Sequence, residues 1–567
     1  MNRLVEKTFE NRGITDAVKY MSDINNAEHD LLKDIDLLAN HLNDVYNNQQ
    51  HIVVLPDFDT DGIMSGVIGL AGLSTMGFRV SLFIPDVTEG YGFTPRTIDK
   101  LLSSYPTCNT ILTCDVGSTC IDGISYAISR GINVVVTDHH VLSEANYKDN
   151  KASIIVNPMR FDETYSHPNI CGAYVLYQCL QYYADTYRSF SEQERVSRLR
   201  VFAGIGTVSD SMPVLYENRQ LVRDAVDISR LLFMGGPDLA RYMSQCDSFY
   251  SRAFYGLATI FSVFENFGKL KTVSDVTASF FGFYLAPMLN SVKRLCDSMT
   301  HAFDVFFGTS PEQDIQYLYN LNNERKRLVA SELQSIHDSD QPFAPYVYIT
   351  DAYSGILGLL ATQLMAETGL PTVVVSSTPD HGFSGSGRSP AWYPFMTSVS
   401  PLFHAAGHEH AFGISLSDYN NLSELFSYLS NDVPSYVPSD CISQKPDFVI
   451  ATDGSGDTDI DLFSFSEYIS ELSRYEPFGV DFAEPYISFR FNASDGVWRT
   501  IGDLKQHIKV VFRYGFELLC FNQGQLFDKC KQGGSITAVG HLVRNRFKDK
   551  YTIEFIGQIT DIAGDKV

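Results

Sequence analysis

Apolar runs of strand length alternate with segments of helix length through the first part of the chain. His51–Leu55, Thr110–Cys114 and Asn133–Thr137 are rich in β-branched residues. Runs of about five such residues are typical of buried strands in a parallel sheet. Residues 51–223 are therefore predicted to form an α/β domain, and the apolar spacing within 1–50 predicts a leading helix.

A second, smaller α/β pattern follows residues 224–340, which are predicted to be rich in helix. It begins with a predicted strand at Tyr346–Thr350 and continues through a helix at Ile356–Thr368 to a strand at Pro371–Ser376. The glycine-rich segment Ser384–Ser389 comes next and is predicted to be a loop.

The last part of the chain alternates short β-rich runs with turns. It follows a polar segment, 414–470, that is predicted to be a helical connector. The predicted strands are Tyr486–Phe491, Ile508–Phe512, Glu517–Phe521, Ser535–Val539 and Tyr551–Phe555. Short strands at this spacing predict a small β-barrel of the OB type.

Length, composition and charge indicate what class of protein this is. The chain has 567 residues, 44% hydrophobic and 19% charged, which predicts a globular protein of two to four domains. No apolar run approaches the roughly 18 residues of a membrane span, and no signal peptide is expected. The ten cysteines form no CxxC pair, which predicts reduced thiols in the cytoplasm. The net charge of −24 does not itself favour a polyanionic partner.

Carboxylates and imidazoles follow all three predicted strands of the first domain. In chain order these residues are Asp57, Asp59, Asp61, Asp115, Asp138, His139 and His140. The carboxyl ends of parallel strands meet at one edge of a sheet, where ligands bind. A single aspartate at a strand end is usually a turn or helix-cap residue, but so many together require cations.

The ligand types predict which cations these are. Oxygen ligands with an imidazole suit Mn²⁺ or Mg²⁺, whereas zinc more often binds Cys or three His. Asp57, Asp59 and Asp61 alternate, so an extended chain would point all three to one side. Asp115, alone at its strand end, is the natural bridging ligand. Two cations about 3.5–4 Å apart can clamp both oxygens of a phosphoryl displacement.

Four motifs resemble those of the DHH phosphoesterase superfamily. They are Asp57-x-Asp59-x-Asp61-Gly62, Cys114-Asp115-Val116-Gly117, Thr137-Asp138-His139-His140 and Gly206-Thr207-Val208-Ser209-Asp210. The extension through Met212-Pro213 and 217–223 is similar to the RecJ branch, the single-strand-specific exonucleases. Further RecJ-like segments are Ile154–Asp162, Pro287–Asn290 with Arg294, Gly385–Ser389, Gly407-His408 and Glu476–Gly479.

The resemblance implies a fold of three parts, all of them α/β or β. These are a parallel-sheet DHH domain, a second smaller α/β DHH-associated domain and a C-terminal OB-like β-barrel. The implied boundaries are 1–223 for the catalytic domain with its leading helix, 224–340 for a helical extension, 341–415 for the substrate-binding DHH-associated domain, 416–485 for a helical linker and 486–567 for the OB-like domain.

The resemblance also implies roles for the acidic residues. Asp57 and Asp59 would hold one cation, and Asp61, His139 and Asp210 the other, with Asp115 bridging the two. Asp138 would orient its neighbours, and His140 would touch the scissile phosphate or assist proton transfer. A second set of residues would contact the substrate: Ser386 and Arg388 as a phosphate grip, with Gly407, His408, Asn290 and Arg294 as further contacts.

Some positions depart from the family pattern. Leu55 stands where some relatives carry a histidine ligand, and Val87 where RecJ proteins commonly have arginine. Ala352–Gly355 replaces a usual Trp-His-Pro-Gly, and Ala406 replaces the first glycine of Gly-Gly-His. These changes indicate a divergent member, such as a phage-encoded one, with altered recognition of the DNA end.

Three functions stay open on the sequence. The first is a monomeric, metal-dependent exonuclease on single-stranded DNA, running 5′→3′ to mononucleotides in repair, recombination or replication, with a single-strand-binding protein or helicase as partner. The second is a phosphodiesterase for short oligonucleotides or cyclic dinucleotides. The third is a non-catalytic DHH scaffold in a replication complex. The predicted barrel counts against the second, and the complete set of metal ligands against the third.

Overall fold

The computed structural model describes most of the chain and divides it into two compact units. The described residues are 2–25, 30–84, 86–87, 92–244, 248–378, 382–436, 445–502, 505–521, 523–547, 550–562 and 565–566, with the backbone alone at 236–244, 408, 546–547, 550–551 and 565–566. One unit comprises 29–212 and 221–441, and the other comprises 1–28, 213–220 and 442–567.

The helices are numbered in chain order. Up to residue 244 they are α1 (Arg3–Asn11), α2 (Ala17–Asn25), α3 (Ile35–Asn47), α4 (Thr60–Thr75), α5 (Pro95–Ser104), α6 (Ile121–Ser129), α7 (Glu144–Asp149), α8 (Gly172–Tyr187), α9 (Phe190–Arg198), α10 (Arg200–Ser209) and α11 (Tyr216–Ser244). The later ones are α12 (Phe249–Asn266), α13 (Ala278–Phe280), α14 (Ala286–Leu289), α15 (Ser291–Arg294), α16 (Thr300–Phe307), α17 (Pro311–Asp338), α18 (Ser354–Thr368), α19 (Phe395–Val399), α20 (Tyr419–Asp432), α21 (Leu462–Leu472) and α22 (Phe527–Gln532).

The first sheet is parallel throughout, as the sequence predicts. Its strands are β1 (His51–Pro56), β2 (Arg79–Leu82), β3 (Cys108–Cys114), β4 (Asn133–Thr137) and β5 (Ile154–Val156). They lie in the order β2-β1-β3-β4-β5. Every residue of β1 is buried, because helices cover both faces of the sheet. All of α4 up to Leu73 is buried as well, packed against α8 and α10.

The second sheet is mixed. Its strands are β6 (Val347–Ile349), β7 (Thr372–Ser377), β8 (Phe383–Arg388), β9 (His404–His408) and β10 (Ala411–Leu416), in the order β6-β7-β8-β10-β9. The prediction of a glycine-rich loop after β7 was wrong, because that segment is strand β8. A Cβ at Gly385 would lie 2.6 Å from the carbonyl oxygen of Val374, and glycine permits this close pairing.

The third sheet forms the C-terminal barrel. Its strands are β11 (Phe448–Ala451), β12 (Ile487–Asn492), β13 (Val497–Ile501), β14 (His507–Val511), β15 (Glu517–Cys520), β16 (Ser535–Phe547), β17 (Lys550–Ile562) and β18 (Asp565–Lys566). The path is β11-β12-β16-β17-β15-β14-β13, with β18 on β17. The five predicted strands are present. The predicted helical connector contains α20 and α21, but it also contains β11, which pairs in parallel with β12.

The fold class predicted from the sequence is confirmed: a parallel-sheet domain, a smaller α/β domain and an OB barrel. The leading segment, however, divides between the two units. Helix α3 packs with the first sheet, whereas α1 and α2 bury Leu4, Phe9 and Met21 in the core of the barrel unit. Among the described residues, no helix combines the length and the apolar character that crossing a membrane requires.

Candidate metal centre

Three aspartates enter the site from the junction of β1 and α4. Asp57 follows the last residue of β1, and Asp59 is the N-cap of α4, accepting a hydrogen bond from the Gly62 N–H at 3.1 Å. Asp61 lies in the first turn of the helix. The prediction that an extended chain presents all three was therefore wrong. The chain turns into the helix after Asp59, because Asp59 and Gly62 form a helix start.

The other predicted ligands come from three further elements. Asp115 follows β3 and adopts φ 64°, a left-handed conformation that turns the chain sharply at the strand end. Asp138, His139 and His140 follow β4, and Asp210 is the C-cap of α10. The strands bring their residues to one edge because their carboxyl ends coincide in a parallel sheet, and α10 adds Asp210.

The ligand atoms of these residues form three overlapping groups. Within each group, one ligand atom from each residue lies within 4.8 Å of those of the other two. The groups are Asp57–Asp59–Asp115, Asp61–His139–Asp210 and Asp115–His139–His140. His139 Nε2 lies 3.2 Å from Asp115 Oδ1 and 3.6 Å from Asp210 Oδ2. Asp115 and His139 therefore stand at the centre of the cluster.

The metal-free cluster is electrostatically unfavourable. Burial, followed by the charge of Asp59, raises the pKa of Asp57 to about 7. Burial and the charge of Asp61 raise the pKa values of Asp115 and Asp210 well above the usual carboxyl range. Among the described residues Asp115 Oδ1, though buried, accepts no hydrogen bond. A buried carboxylate oxygen that accepts no hydrogen bond is costly unless a cation binds it, so Asp115 fits the role of a metal ligand.

The buried Asp138 pairs with the half-buried His140 beside the cluster. His140 Nδ1 lies 2.8 Å from Asp138 Oδ1, and the backbone N–H groups of Ser118 and His139 also donate to Asp138. Burial lowers the pKa of His140, but the bond to Asp138 outweighs it and raises the value to about 9. Burial raises the pKa of Asp138, but His140 outweighs it and keeps the value well below the usual range. Asp138 therefore holds the His140 ring in place.

Two glycines that the sequence interpretation missed allow the cluster to pack. Gly172 N donates to Asp61 Oδ2 at 2.7 Å, and a Cβ on Gly172 would lie 2.5 Å from Asp115 Oδ1. A Cβ on Gly206 would lie 2.4 Å from Asp61 Oδ1. No larger residue fits at either position without moving a carboxylate. Gly206 opens one of the quoted family motifs, which was the available signal.

Lys293 is a further residue of the site that the sequence interpretation missed. Its Nζ lies 3.1 Å from Asp59 Oδ2, and it neighbours Arg294 in α15. Asn290, a predicted substrate contact, supports α4, since its side-chain oxygen accepts the Thr60 N–H at 2.9 Å. The only sequence signal for Lys293 is its place between these two predicted contacts.

The predicted phosphate grip lies on the second sheet. Arg388 Nη1 donates to Ser386 Oγ at 2.8 Å, and Arg294 Nη1 donates to the carbonyl of Gly355 at 3.1 Å. Within the described part of the chain, neither arginine forms an ion pair. Burial, then the charge of Arg294, lowers the pKa of Arg388 to about 10, so the two guanidinium groups are near each other. Gly407 lies in β9, and the side chain of His408 is outside the described residues.

The donor set fits divalent cations that prefer oxygen. Buried carboxylates with one or two imidazoles match Mn²⁺ or Mg²⁺, and the orphan oxygen of Asp115 is available as a shared ligand. Among the described residues, no cysteine belongs to these ligand groups. The site can therefore carry hydrolytic chemistry on phosphate esters.

Comparison with protein families finds two matches. The DHH family, N-terminal domain, matches residues 51–202, and the RecJ OB domain matches residues 457–558. The first range contains the β-strand ends of the cluster, and the second contains most of the barrel.

Curated relatives and solved structures agree with these matches. The single-stranded-DNA-specific exonuclease RecJ of Bacillus subtilis is 24% identical over 534 residues, 90% of this chain but 61% of that relative's length. The Haemophilus influenzae protein of the same name is 23% identical over 84% of this chain and 81% of its own. The crystal structure of Thermus thermophilus RecJ with Mn²⁺ is similar at a TM-score of 0.70 and 19% identity, covering 100% of this chain and 76% of that one.

Proposed function

Because this chain is a RecJ-type member of the DHH family, we propose that it is a metal-dependent exonuclease that hydrolyses single-stranded DNA. The observation that supports this most is the set of overlapping ligand groups, which are linked through Asp115 and His139. Within this proposal the enzyme runs 5′→3′ and releases mononucleotides, in repair, recombination or replication.

The proposed cation ligands follow the Asp57–Asp59–Asp115 and Asp61–His139–Asp210 groups. Asp57 and Asp59 would hold one cation, Asp61, His139 and Asp210 would hold the other, and Asp115 would be shared between them. Two divalent cations, Mn²⁺ or Mg²⁺, would neutralise the cluster and supply Lewis acidity at the scissile phosphate. The N–H groups of Gly172 and Ala173 orient Asp61 by donating to its two oxygens at 2.7 and 3.2 Å.

His140 is the proposed group that contacts the scissile phosphate or moves a proton. Its raised pKa keeps the imidazole protonated at neutral pH, which suits an anionic substrate. Asp138 acts as the residue that orients it, through the 2.8 Å hydrogen bond. The backbone carbonyl of His140 also accepts a hydrogen bond from Asn157, which fixes the segment further.

The proposed substrate contacts lie on α15 and the second sheet. Arg294 and Arg388 are half-buried, and their guanidinium groups donate to neutral oxygens. Among the described residues neither forms an ion pair, so a phosphate would give each a charged partner. Ser386 orients Arg388 and offers a hydroxyl. Gly407 and His408 remain predicted contacts, and Asn290 remains one although its oxygen already supports α4.

The alternatives have less support. A phosphodiesterase for short oligonucleotides or cyclic dinucleotides does not need the barrel that β12–β17 form. A non-catalytic scaffold does not need a complete ligand set. The monomeric state, the cytoplasmic location, the single-strand-binding protein or helicase partner, and the domain boundaries at 223, 340, 415 and 485 remain predictions.

End-labelled oligonucleotides test the proposal. A strand of about thirty nucleotides, labelled at the 5′ or the 3′ end, is incubated with Mn²⁺ and, in parallel, with EDTA. The proposal expects metal-dependent shortening, with 5′ label released at once as mononucleotide and 3′ label shortening progressively. Cleavage of di- to tetranucleotides alone supports the second function, and binding without cleavage supports the third. Either result contradicts the exonuclease.

A further inference from the structure

The ammonium group of Lys293 lies within the metal centre itself. Its Nζ is 3.1 Å from Asp59 Oδ2, and both side chains are mostly buried, with 20% and 26% exposed. The same Nζ lies 5.7 Å from the ring centroid of Phe58. The aspartate that it contacts belongs to the Asp57–Asp59–Asp115 group.

The Asp57–Asp59–Asp115 and Asp61–His139–Asp210 groups differ in this respect. Asp59 has a positive side chain of the protein as a direct partner. In the part of the chain that the structure describes, Asp61 and Asp210 form no ion pair with lysine or arginine. The charge of Lys293 also reaches Asp57 and Asp210, but its contact is with Asp59. Among the described residues, therefore, one prospective cation position has an ammonium group in direct contact with a ligand, and the other has none.

Both oxygens of Asp59 already have a partner. Lys293 Nζ contacts Oδ2 at 3.1 Å, and the Gly62 N–H donates to Oδ1 at 3.1 Å. A divalent cation that binds Asp59 therefore has to compete with an ammonium group.

We propose that Lys293 is a positioning residue that makes the two cation sites unequal. Its ammonium group occupies Asp59 until a divalent cation displaces it, so the Asp57–Asp59–Asp115 group binds its cation more weakly than the Asp61–His139–Asp210 group. This inference rests on the metal centre of the proposed function. The long lysine side chain can release Asp59 and stay near the Phe58 ring, so displacement requires no movement of the backbone.

Mn²⁺ binding without DNA tests the inference. The full-length protein is stripped with EDTA, dialysed and titrated with Mn²⁺, and the free ion is followed by its electron paramagnetic resonance signal. We expect two classes of site in the wild type. Lys293→Met removes the competing charge, so the weaker class should bind about tenfold tighter or more, since about 1.4 kcal/mol corresponds to tenfold. Lys293→Arg keeps the charge and should restore the inequality.

Two further variants make the test specific. Lys293→Gln removes the charge with a polar side chain and serves if Lys293→Met does not fold. Lys7→Met removes a lysine that pairs with Asp457 at 3.6 Å in the barrel unit, and it should change neither affinity.

The outcomes separate this inference from the proposed function. If the Mn²⁺ affinity of the weaker site is unchanged or lower in both Lys293→Met and Lys293→Gln, the inference is overturned. Mn²⁺ binding by the wild type would still support the metal centre in that case. No Mn²⁺ binding by the wild type overturns both. If the Lys293 variants bind the second Mn²⁺ more tightly but the wild type cleaves no DNA, the role of Lys293 is supported and the proposed exonuclease activity is contradicted.

Discussion

At the level of single residues, Asp115 is placed for cation binding in a way that lowers the stability of the folded protein without metal. Asp115 is 2% exposed, its Oδ1 lacks a hydrogen-bond donor among the described residues, and its backbone is left-handed at φ 64°. Each of these features is energetically unfavourable for an ionised aspartate. Together they indicate a position selected for ligand geometry, because a functional site often costs stability.

Asp115→Asn is expected to stabilise the metal-free protein while it abolishes hydrolysis. Asparagine removes the repelled charge and tolerates the left-handed backbone, which alanine does not. We expect a higher melting temperature than wild type in EDTA and at least a hundredfold loss of DNA hydrolysis, about 2.7 kcal/mol of activation free energy. Circular dichroism melting and the oligonucleotide assay measure the two effects. A lower melting temperature in EDTA would contradict the strain argument.

Gly206→Ala is expected to weaken cation binding with a limited effect on the fold. The new Cβ would lie 2.4 Å from Asp61 Oδ1, so the carboxylate has to move. Alanine also favours helix α10 by up to about 1 kcal/mol, which offsets part of the strain. Mn²⁺ affinity should fall at least tenfold by calorimetric titration. The control Gly534→Ala, with no atom within 4 Å of its Cβ, should bind as wild type does.

At the level of elements, strand β8 and helix α1 carry residues whose roles depend on distant partners. In β8 the glycines permit close pairing, while Ser386 and Arg388 stand two residues apart and so on the same face. Helix α1 is held to the barrel unit by Arg12, whose guanidinium binds Asp447 at 2.7 and 2.8 Å. Each element therefore supports a separate prediction.

Arg388→Ala is expected to impair 5′-phosphorylated substrates more than 5′-hydroxyl substrates. The guanidinium is the proposed partner of a terminal phosphate, so its removal should affect the end that carries the extra charge. Specificity constants for matched oligonucleotides measure the difference, which should be at least tenfold. Equal losses on the two ends would remove the proposed role.

Arg12→Ala is expected to destabilise the barrel unit by about 3 kcal/mol, because it leaves the 5%-exposed Asp447 buried without its partner. Arg12→Lys should recover only part of the lost stability, since lysine lacks the planar guanidinium group that binds both carboxylate oxygens. Urea unfolding followed by Trp498, in a Trp392→Phe background, isolates the barrel. The control is Lys148→Ala, whose pair with Glu144 is 67% and 60% exposed and should be worth under about 0.5 kcal/mol. A similar effect of both variants would contradict the prediction.

At the level of the whole molecule, cation binding and stability are linked. The chain carries a net charge of −24, and part of it is concentrated in the buried cluster. A ligand that binds only the folded state stabilises it by mass action. The cations should therefore act as structural as well as catalytic groups.

Saturating Mn²⁺ is expected to raise the melting temperature of the EDTA-treated protein by several degrees. At a concentration a hundred times the dissociation constant, one site contributes about 2.7 kcal/mol. Differential scanning fluorimetry with and without Mn²⁺ measures the shift. Asp115→Asn should show a clearly smaller shift, and an equal one would place the bound ion elsewhere.

The sequence by itself determined the fold class and the gathering of acidic residues at one edge. β-Branched runs predict parallel strands, and the carboxyl ends of such strands meet, so Asp57, Asp115 and Asp138 had to be neighbours. The four quoted motifs added Asp210, which no strand-end argument supplies. These features are local in the chain, and local patterns are readable without coordinates.

Only the tertiary structure decided which other residues complete the site and which segments share a core. Lys293 meets Asp59 across 234 residues, and Arg12 meets Asp447 across 435. Gly172 and Gly206 matter because two carboxylates approach them, and β8 is a strand because β7 and β10 pair with it. Such contacts depend on how distant segments pack, and neither spacing nor local propensity encodes them.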